Sequence, residues 1–329
     1  MAATNTQEIV DVLIVGGGPT GLSCGIEARA ANLSYIILEK GALTDSIRRF
    51  PRSMTFFSTP ELLELGDLPF TCVETRPNRS EVLVYYRRVA DYFDLNISLR
   101  SQVRRIRRKD EYFIVESSTG THAARNVVLA TGYFDNTNML GVPGEDRAHV
   151  RAYYDEPYEY SRAKVCIIGG RNSAVETALE LFRNGADVTL VHRGADLGSS
   201  VKYWIMPDIR NRISKGEIRA LFNTVVQEIG EKTITLHNTA DGSVSAIDAD
   251  YVIKHIGYRP DEQLLRASGV ELADRTLVPT YNSDNFETNV PGLYVAGSVV
   301  CGCETWNIFI ENGRKHARPI IKRIAAGPR

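Results

Sequence analysis

The 329 residues carry 39 Lys and Arg against 40 Asp and Glu, a formal net charge of −1, and a chain of that length suggests about two domains of roughly 100–200 residues each. With 43% hydrophobic and 24% charged residues it is excluded from the disordered, collagen-like and disulfide-dense classes, and without a surplus of cations it is a poor partner for nucleic acid. No apolar run reaches the roughly 18–20 residues that span a bilayer. The first basic residue is Arg29 and the opening IVDVLIV runs straight into glycines, so no secretory leader and a cytoplasmic address are expected. Five cysteines, an odd number, read as reduced thiols and not as a disulfide framework.

The chain opens on a βαβ pattern. In EIVDVLIVGGGPTGLSCGIEARAANLSYIILEKG an apolar strand meets a glycine turn, a helix follows, and a second apolar strand ends in Glu39. Gly16, Gly18 and Gly21 stand at G-x-G-x-x-G spacing, with Pro19 inside the turn. One glycine allows the tight turn, one lets the backbone approach a pyrophosphate at the helix N-terminus, and one lets the helix pack on the strand. Glu39, 23 residues after Gly16, is placed to accept hydrogen bonds from a ribose diol, which fits a nucleotide without a 2′-phosphate.

Further on, Arg104, Arg105, Arg107, Arg108 and Lys109 surround Ile106, a run suited to an exposed hairpin edge. The strand RNVVLATGYFD ends in Ala130-Thr131-Gly132, and ADYVIKHIGYRPD repeats that shape with Gly257, Arg259 and Pro260; each reads as a crossover between domains. Between them, AKVCIIGGRNSAVETALELFRNGADVTLVHRG repeats the βαβ pattern. Gly169, Gly170 and Ala174 form its turn, Arg171 stands where the middle glycine of the fingerprint falls, and Asn172 and Ser173 open the helix. Its second strand ends at His192, again 23 residues on, and His192-Arg193 replaces the acid of the first unit. That pair suits a 2′-phosphate, which an acid would repel, so NADPH is expected over NADH. Lys202 in SSVKYW is within chain reach of the same phosphate. Finally, NVPGLYVAGSVVCGCETWNIFIENGRKHA predicts a turn, a strand, Gly297-Ser298 and then a long helix.

The glycine turn with Glu39, the ATG, the inserted second unit and TNVPGLYVAG together resemble the two-dinucleotide-binding flavoproteins, in their thioredoxin-reductase-like branch, over nearly the whole chain. More narrowly, RRFPRSMTFFSTPELLELGDLPF, EVLVYYRRVADYF, IIGGRNSAVETALEL, SVKYWIMPDI and FIENGR resemble the bacillithiol-disulfide-reductase-like flavoproteins, the YpdA group. The resemblance implies an α/β fold of two Rossmann-like three-layer domains: an FAD-binding domain in two pieces, 1–133 and 261–329, with an NADPH-binding domain, 134–260, inserted. It implies an FAD enzyme that oxidises NADPH and reduces a low-molecular-weight thiol disulfide, bacillithiol disulfide or similar, in the cytosol and as a homodimer. FAD contacts are then expected from Gly16, Gly18, Pro19, Gly21, Glu39, Lys40, the Val103 backbone, Thr131, Gly132, Gly297 and Ser298, the last standing where many relatives carry aspartate. NADPH contacts are expected from Gly169, Gly170, Arg171, Asn172, Ser173, His192, Arg193 and Lys202.

The cysteines are Cys24, Cys72, Cys166, Cys301 and Cys303, and none form C-x-x-C or C-x-x-x-x-C. A thioredoxin reductase carries its pair ahead of the second glycine turn, where this chain has VRAYYDEPYEY; glutathione-reductase-like enzymes carry it after the first βαβ unit, where this chain has RRFPRSMTFF. Electrons must leave a flavin here by another route, directly to a small disulfide or through one cysteine. The resembled group often has a cysteine inside the first glycine turn; here Thr20 stands there, with Cys24 one helical turn later. Cys24, Cys72 and Cys166 are expected to be structural. Cys301 and Cys303 are the redox candidates, because they precede the expected helix and a helix N-terminus lowers a thiol pKa. The six histidines show no metal-ligand spacing, so no metal is expected, and no nucleophile elbow supports hydrolysis. The alternatives are a ferredoxin or flavodoxin NADP reductase of the same branch, an NADPH oxidase or a monooxygenase, although F-x-G-x-x-x-H is absent, and a redox-sensing protein that holds both cofactors without turnover.

Overall fold

Side-chain alternation decides where each strand lies. In Lys164–Ile168, Val165 and Ile167 join one core cluster while Cys166 and Ile168 join another, so this strand is covered on both faces, as a parallel strand between two layers must be. The computed structural model describes residues 8–327, which form two compact units. One runs to Arg49, takes in Ser53–Asn136 and resumes at Tyr258; the other is Thr137–Gly257 with Phe50–Arg52.

The first unit begins with β1 (Ile9–Val15), α1 (Pro19–Ala30) and β2 (Tyr35–Leu38), followed by the short helices α2 (Asp45–Arg48) and α3 (Pro60–Leu63) and by α4 (Arg79–Tyr92). α4 starts at a reciprocal cap in which Asn78 accepts from the Glu81 N–H at 3.0 Å and Glu81 accepts from the Asn78 N–H at 2.9 Å, closing two donors that a helix start leaves open. Then come β3 (Ile97–Ser98), β4 (Val103–Lys109), β5 (Tyr112–Ser117) and β6 (Gly120–Leu129).

The inserted unit contains β7 (Val150–Arg151), β8 (Lys164–Ile168), α5 (Asn172–Arg183), β9 (Asp187–Val191), α6 (Met206–Ser214), β10 (Arg219–Leu221), the meander β11 (Thr224–Ile229), β12 (Thr233–Asn238) and β13 (Val244–Asp248), and β14 (Tyr251–Lys254). The chain then returns to the first unit with α7 (Glu262–Ala267), β15 (Leu293–Val295), α8 (Ile310–Gly313) and α9 (Ala317–Ala325).

Among the described residues the first unit holds a seven-stranded sheet in the order β3-β2-β1-β6-β5-β4, with β15 also paired to β6. β2, β1, β6 and β15 run parallel, whereas β4 and β5 form an antiparallel flank. The parallel strands end together, which puts the glycine turn after β1, Glu39 after β2, the Thr131-Gly132 segment after β6 and Gly297 after β15 at one edge, where open α/β sheets bind ligands. The second unit holds a parallel sheet, β10-β9-β8-β14-β7, and the antiparallel sheet β11-β12-β13. Its core has two parts: β8, β9 and β14 pack on α5 and α6 through Leu179, Leu181 and Ile209, and on the meander through Ile229, Ile234 and Leu236.

On β4 the five cations are exposed and Ile106 is buried, an edge strand guarded by charge. The predicted long C-terminal helix is broken. Gly297–Cys301 is a 3₁₀ turn, irregular chain follows, and α8, a 3₁₀ turn at Arg314–His316 and α9 come in succession. Gly302 enforces the break with φ +53°, and a Cβ on it would lie 2.1 Å from the Thr276 carbonyl oxygen. No helix among the described residues is long and apolar enough to cross a membrane.

Candidate functional site

The first cradle is assembled by close backbone approaches. At Gly16, φ is +112° and an added Cβ would lie 2.5 Å from the Ala130 oxygen; at Gly21 it would lie 1.9 Å from the Gly16 oxygen. These two glycines let β1, β6 and α1 meet. At Gly18 an added Cβ would meet nothing within 4 Å, and Gly18 caps α1 without any side-chain hydrogen bond. The space over an uncapped helix start is what a pyrophosphate requires.

Glu39 is buried, and its carboxylate accepts the Gly17 N–H at 2.6 Å and the Gly41 N–H at 2.8 Å, one on each oxygen. A carboxylate has about four acceptor positions, so each oxygen keeps capacity for a ribose hydroxyl. The Glu39 carbonyl accepts the Ser101 N–H at 2.8 Å, which brings Val103, two residues on, beside the same strand end. The Lys40 ammonium lies 2.6 Å from Asp135, which Arg49 also grips. Burial and the Arg49 charge push the Lys40 pKa down. Asp135 and Arg49 carry no motif that sequence reasoning could use.

Thr131 and Gly132 follow β6, with φ +66° at Gly132, whose Cβ position is 3.5 Å from the Ser298 hydroxyl oxygen. Gly297, at φ +74°, packs so closely on α1 that a Cβ would sit 2.6 Å from the Thr20 hydroxyl oxygen. Its N–H donates to Nδ1 of buried His316 at 3.1 Å. Thr20, Gly132, Gly297 and Ser298 thus converge, although they lie far apart in sequence.

The second cradle follows the same logic. Gly169 has φ +145° and a Cβ there would lie 2.5 Å from the His255 oxygen, while at Gly170 it would strike the His192 ring at 2.5 Å. α5 starts at Arg171 without a side-chain cap. Asn172 ties the helix start to the following loop, donating to the Ser200 carbonyl at 2.9 Å and accepting the Lys202 N–H at 2.8 Å. Ser173 and Arg193 are exposed. Burial first, and then the charges of Arg193 and Arg171, lower the His192 pKa; the two guanidinium groups therefore share the field around a neutral imidazole. The Lys202 ammonium is turned inward onto Glu176, with only 11% of its side chain exposed, so a residue not singled out by sequence takes up its charge.

The thiols depart most from expectation. All five cysteines are free. Cys24 and Cys166 are buried, as expected of structural residues, and burial pushes both thiols up to about 12. Cys72 lies half-buried in a loop, its thiol 2.8 Å from the Glu74 carbonyl. Cys301 was placed at a helix N-terminus by sequence; it instead closes the 3₁₀ turn Gly297–Cys301, at its C-terminal end, and its thiol donates to the Ser298 carbonyl at 2.9 Å. Burial pushes it up to about 11, and raises Cys303 as well. The anticipated lowering does not occur, because the next helix begins only at Ile310. Among the described residues no group of His, Cys, Asp and Glu is disposed to hold a metal ion.

Residues 13–297 match the family model for pyridine nucleotide-disulphide oxidoreductases. The chain is similar to the bacilliredoxin reductase Bdr of Bacillus subtilis (strain 168), 37% identical over 314 residues that cover 95% of this chain and 97% of that one. It is also similar to the solved structure of bacillithiol disulfide reductase Bdr (YpdA) from Bacillus cereus, with a TM-score of 0.95, 36% identity and coverage of 98% and 100%. Against the thioredoxin reductase of T. acidophilum the TM-score is 0.76 at 23% identity, with coverage of 97% and 99%, a likeness that speaks to fold alone.

Proposed function

The chain belongs to the pyridine nucleotide-disulphide oxidoreductase family, and from that premise we propose that it is an FAD-dependent NADPH oxidoreductase reducing a low-molecular-weight thiol disulfide, bacillithiol disulfide or one of its kind, with no dithiol of its own. The observation that carries this reading is a pair of uncapped glycine cradles whose ribose ends differ in charge, Glu39 in one and Arg193 in the other. The discontinuous unit takes FAD and the inserted unit takes NADPH. The relatives named for bacillithiol disulfide and bacilliredoxin support the substrate class.

FAD, when bound, supplies the two-electron chemistry that converts NADPH, a proton and a disulfide into NADP and two thiols. The chain's residues bind and orient. Gly16, Gly18, Pro19 and Gly21 present the start of α1 to a pyrophosphate; Glu39 takes the ribose diol; the Val103 backbone borders the adenosine end, and Thr131, Gly132, Gly297 and Ser298 form the wall beside the turn. Lys40, paired with Asp135 but still 45% exposed, borders the same pocket and keeps donors for the cofactor. In the second unit Gly169, Gly170, Asn172 and Ser173 present α5 to the other pyrophosphate, and Arg171, His192 and Arg193 surround the 2′-phosphate. Glu39→Ala removes the ribose acceptor and also orphans the Gly17 and Gly41 N–H groups; FAD binding is expected to weaken at least ~10-fold, measured by flavin retained through gel filtration.

A thiol with a pKa of about 11 is ionised in roughly one molecule in a thousand at pH 8, too few for an efficient thiolate nucleophile. This supports electron transfer from flavin to disulfide without Cys301, and burial raises the Cys303 thiol in the same direction. The test is anaerobic: NADPH is expected to bleach the flavin, and bacillithiol disulfide to restore its colour, at rates within about 3-fold in the wild type and in a Cys301→Ser/Cys303→Ser variant. Because raising pH raises the thiolate fraction, a thiol route would instead give rates climbing toward pH 11 and abolished in the variant. Failure of every small disulfide to reoxidise the flavin would overturn the substrate class in favour of a protein acceptor.

A further inference from the structure

His316 is not among the expected cofactor contacts, yet it sits behind the point where the proposed FAD wall converges. Its ring is buried and stacked on Phe286 with centroids 4.1 Å apart and planes inclined by 18°. Phe286 is itself stacked on Tyr281 at 5.7 Å and 11°, and its carbonyl accepts the Val295 N–H at 3.0 Å, so the stack is tied to β15. The imidazole edge is equally constrained, because Nδ1 accepts the Gly297 N–H at 3.1 Å. An accepting Nδ1 carries no proton, which makes the ring the neutral Nε2–H tautomer.

We propose that His316 is a positioning residue for the flavin: as the buried acceptor of the Gly297 N–H, it locks the turn that sets Ser298 against Gly132 and Gly297 against Thr20. The proposal rests on the assignment of FAD to the discontinuous unit. Three observations support it together. Gly297 takes a left-handed φ of +74° and has no room for a side chain toward Thr20, so its orientation depends on what holds its amide. The segment that carries His316 is anchored to α1, since the Ser23 hydroxyl donates to the Arg314 carbonyl at 2.9 Å, and Gly313 lies 3.2 Å from the Gly297 Cα at its Cβ position. Burial lowers the His316 pKa to about 4, which keeps the acceptor unprotonated at neutral pH. His316 does not touch the flavin in this account; the Gly297 amide that it occupies leaves the Ser298 end of the turn to face the cofactor.

Two substitutions separate the acceptor from the ring. His316→Phe keeps the stack on Phe286 and removes the acceptor, leaving a buried N–H unpaired; His316→Asn removes the ring and keeps an oxygen near the position of Nδ1. Dissociation of FAD from the holoenzyme on dilution, followed by the rise in flavin fluorescence, is expected to show affinity weakened at least ~10-fold in the Phe variant and within about 3-fold of wild type in the Asn variant. Melting of the flavin-free proteins provides the control, with the two variants expected to lie close together. An acceptor role is rejected if His316→Phe holds FAD as tightly as wild type, or if both variants lose FAD and stability in parallel, as a merely structural ring would. Nitrogen NMR of the wild-type imidazole gives an independent check: an Nε2–H tautomer is expected, and an Nδ1–H tautomer overturns the proposal even if neither variant folds. A wild-type protein that carries no FAD overturns the assignment of the unit, and this proposal with it.

Discussion

Gly18→Val is expected to yield a folded, colourless protein. Gly18 has φ −77° and ψ 178°, extended backbone that any residue adopts, and its Cβ position meets no atom within 4 Å. The fold therefore loses little, a few tenths to about 1 kcal/mol for a poorer helix cap. The ligand loses the space over the start of α1, so FAD affinity is expected to fall at least ~100-fold, about 2.7 kcal/mol or more. Gly21→Ala provides the contrast, because its Cβ would lie 1.9 Å from the Gly16 carbonyl oxygen. Helix and strand must separate, a strain of roughly 1–3 kcal/mol or more, and both flavin and fold should suffer. Flavin absorbance relative to protein, with the melting temperature of the flavin-free forms, distinguishes the cases. A Gly18→Val protein that purifies with a full complement of flavin would show that this turn does not hold the pyrophosphate.

Arg193→Ala is expected to separate the two nicotinamide cofactors. Arg193 is exposed at the end of β9, beside a neutral His192 and within the shared field of Arg171, an arrangement suited to a dianionic 2′-phosphate. Hydrogen bonds to charged groups are worth about 1.5–3 kcal/mol, so kcat/KM for NADPH should fall roughly 10–150-fold, while NADH, which lacks the phosphate, should change less than about 3-fold. Lys202→Ala is the internal comparison. Its ammonium is already paired with Glu176 and nearly buried, so the expected loss for NADPH is below about 5-fold. Steady-state kinetics with both cofactors decide the matter, and equal losses for NADPH and NADH in Arg193→Ala would remove the 2′-phosphate from this strand end.

The expected α/β fold, with two Rossmann-like units of the thioredoxin-reductase-like kind, is the one the chain has. It was legible because its signals are local. The tight turn at Gly16 and the close approach at Gly21 are demands that only glycine meets, and short continuous apolar runs mark two-face-buried strands such as β1 and β8 without knowledge of their neighbours. The burial of Cys24 and Cys166 follows from the same patterns. Glu39 stands at the end of β2, against the glycine turn, where its distance along the chain from Gly16 puts it, since a strand–turn–helix–strand unit has a nearly constant length.

What sequence missed depends on partners remote along the chain. The pairing of the Lys40 ammonium with Asp135, after β6, is one that no local pattern announces. Glu176 on α5 likewise pairs with the Lys202 ammonium and leaves only 11% of that side chain exposed. Cys301 was assigned a low pKa from an assumed helix start, but a glycine at φ +53° ends the 3₁₀ turn immediately after it, and burial drives its pKa upward. Nothing in the residues around His316 singles it out; α8, β15 and Phe286 bring its Nδ1 to the Gly297 amide. By itself, then, the sequence determined the positions of the two glycine turns, the opposite charge at the ends of the strands that follow them and the absence of a C-x-x-C pair, because each is written in residue identity and short-range spacing. Only the tertiary structure decided which charges are paired, that burial raises the thiol pKa values and what holds the Gly297 turn, because desolvation and ion pairing are properties of groups that meet in space.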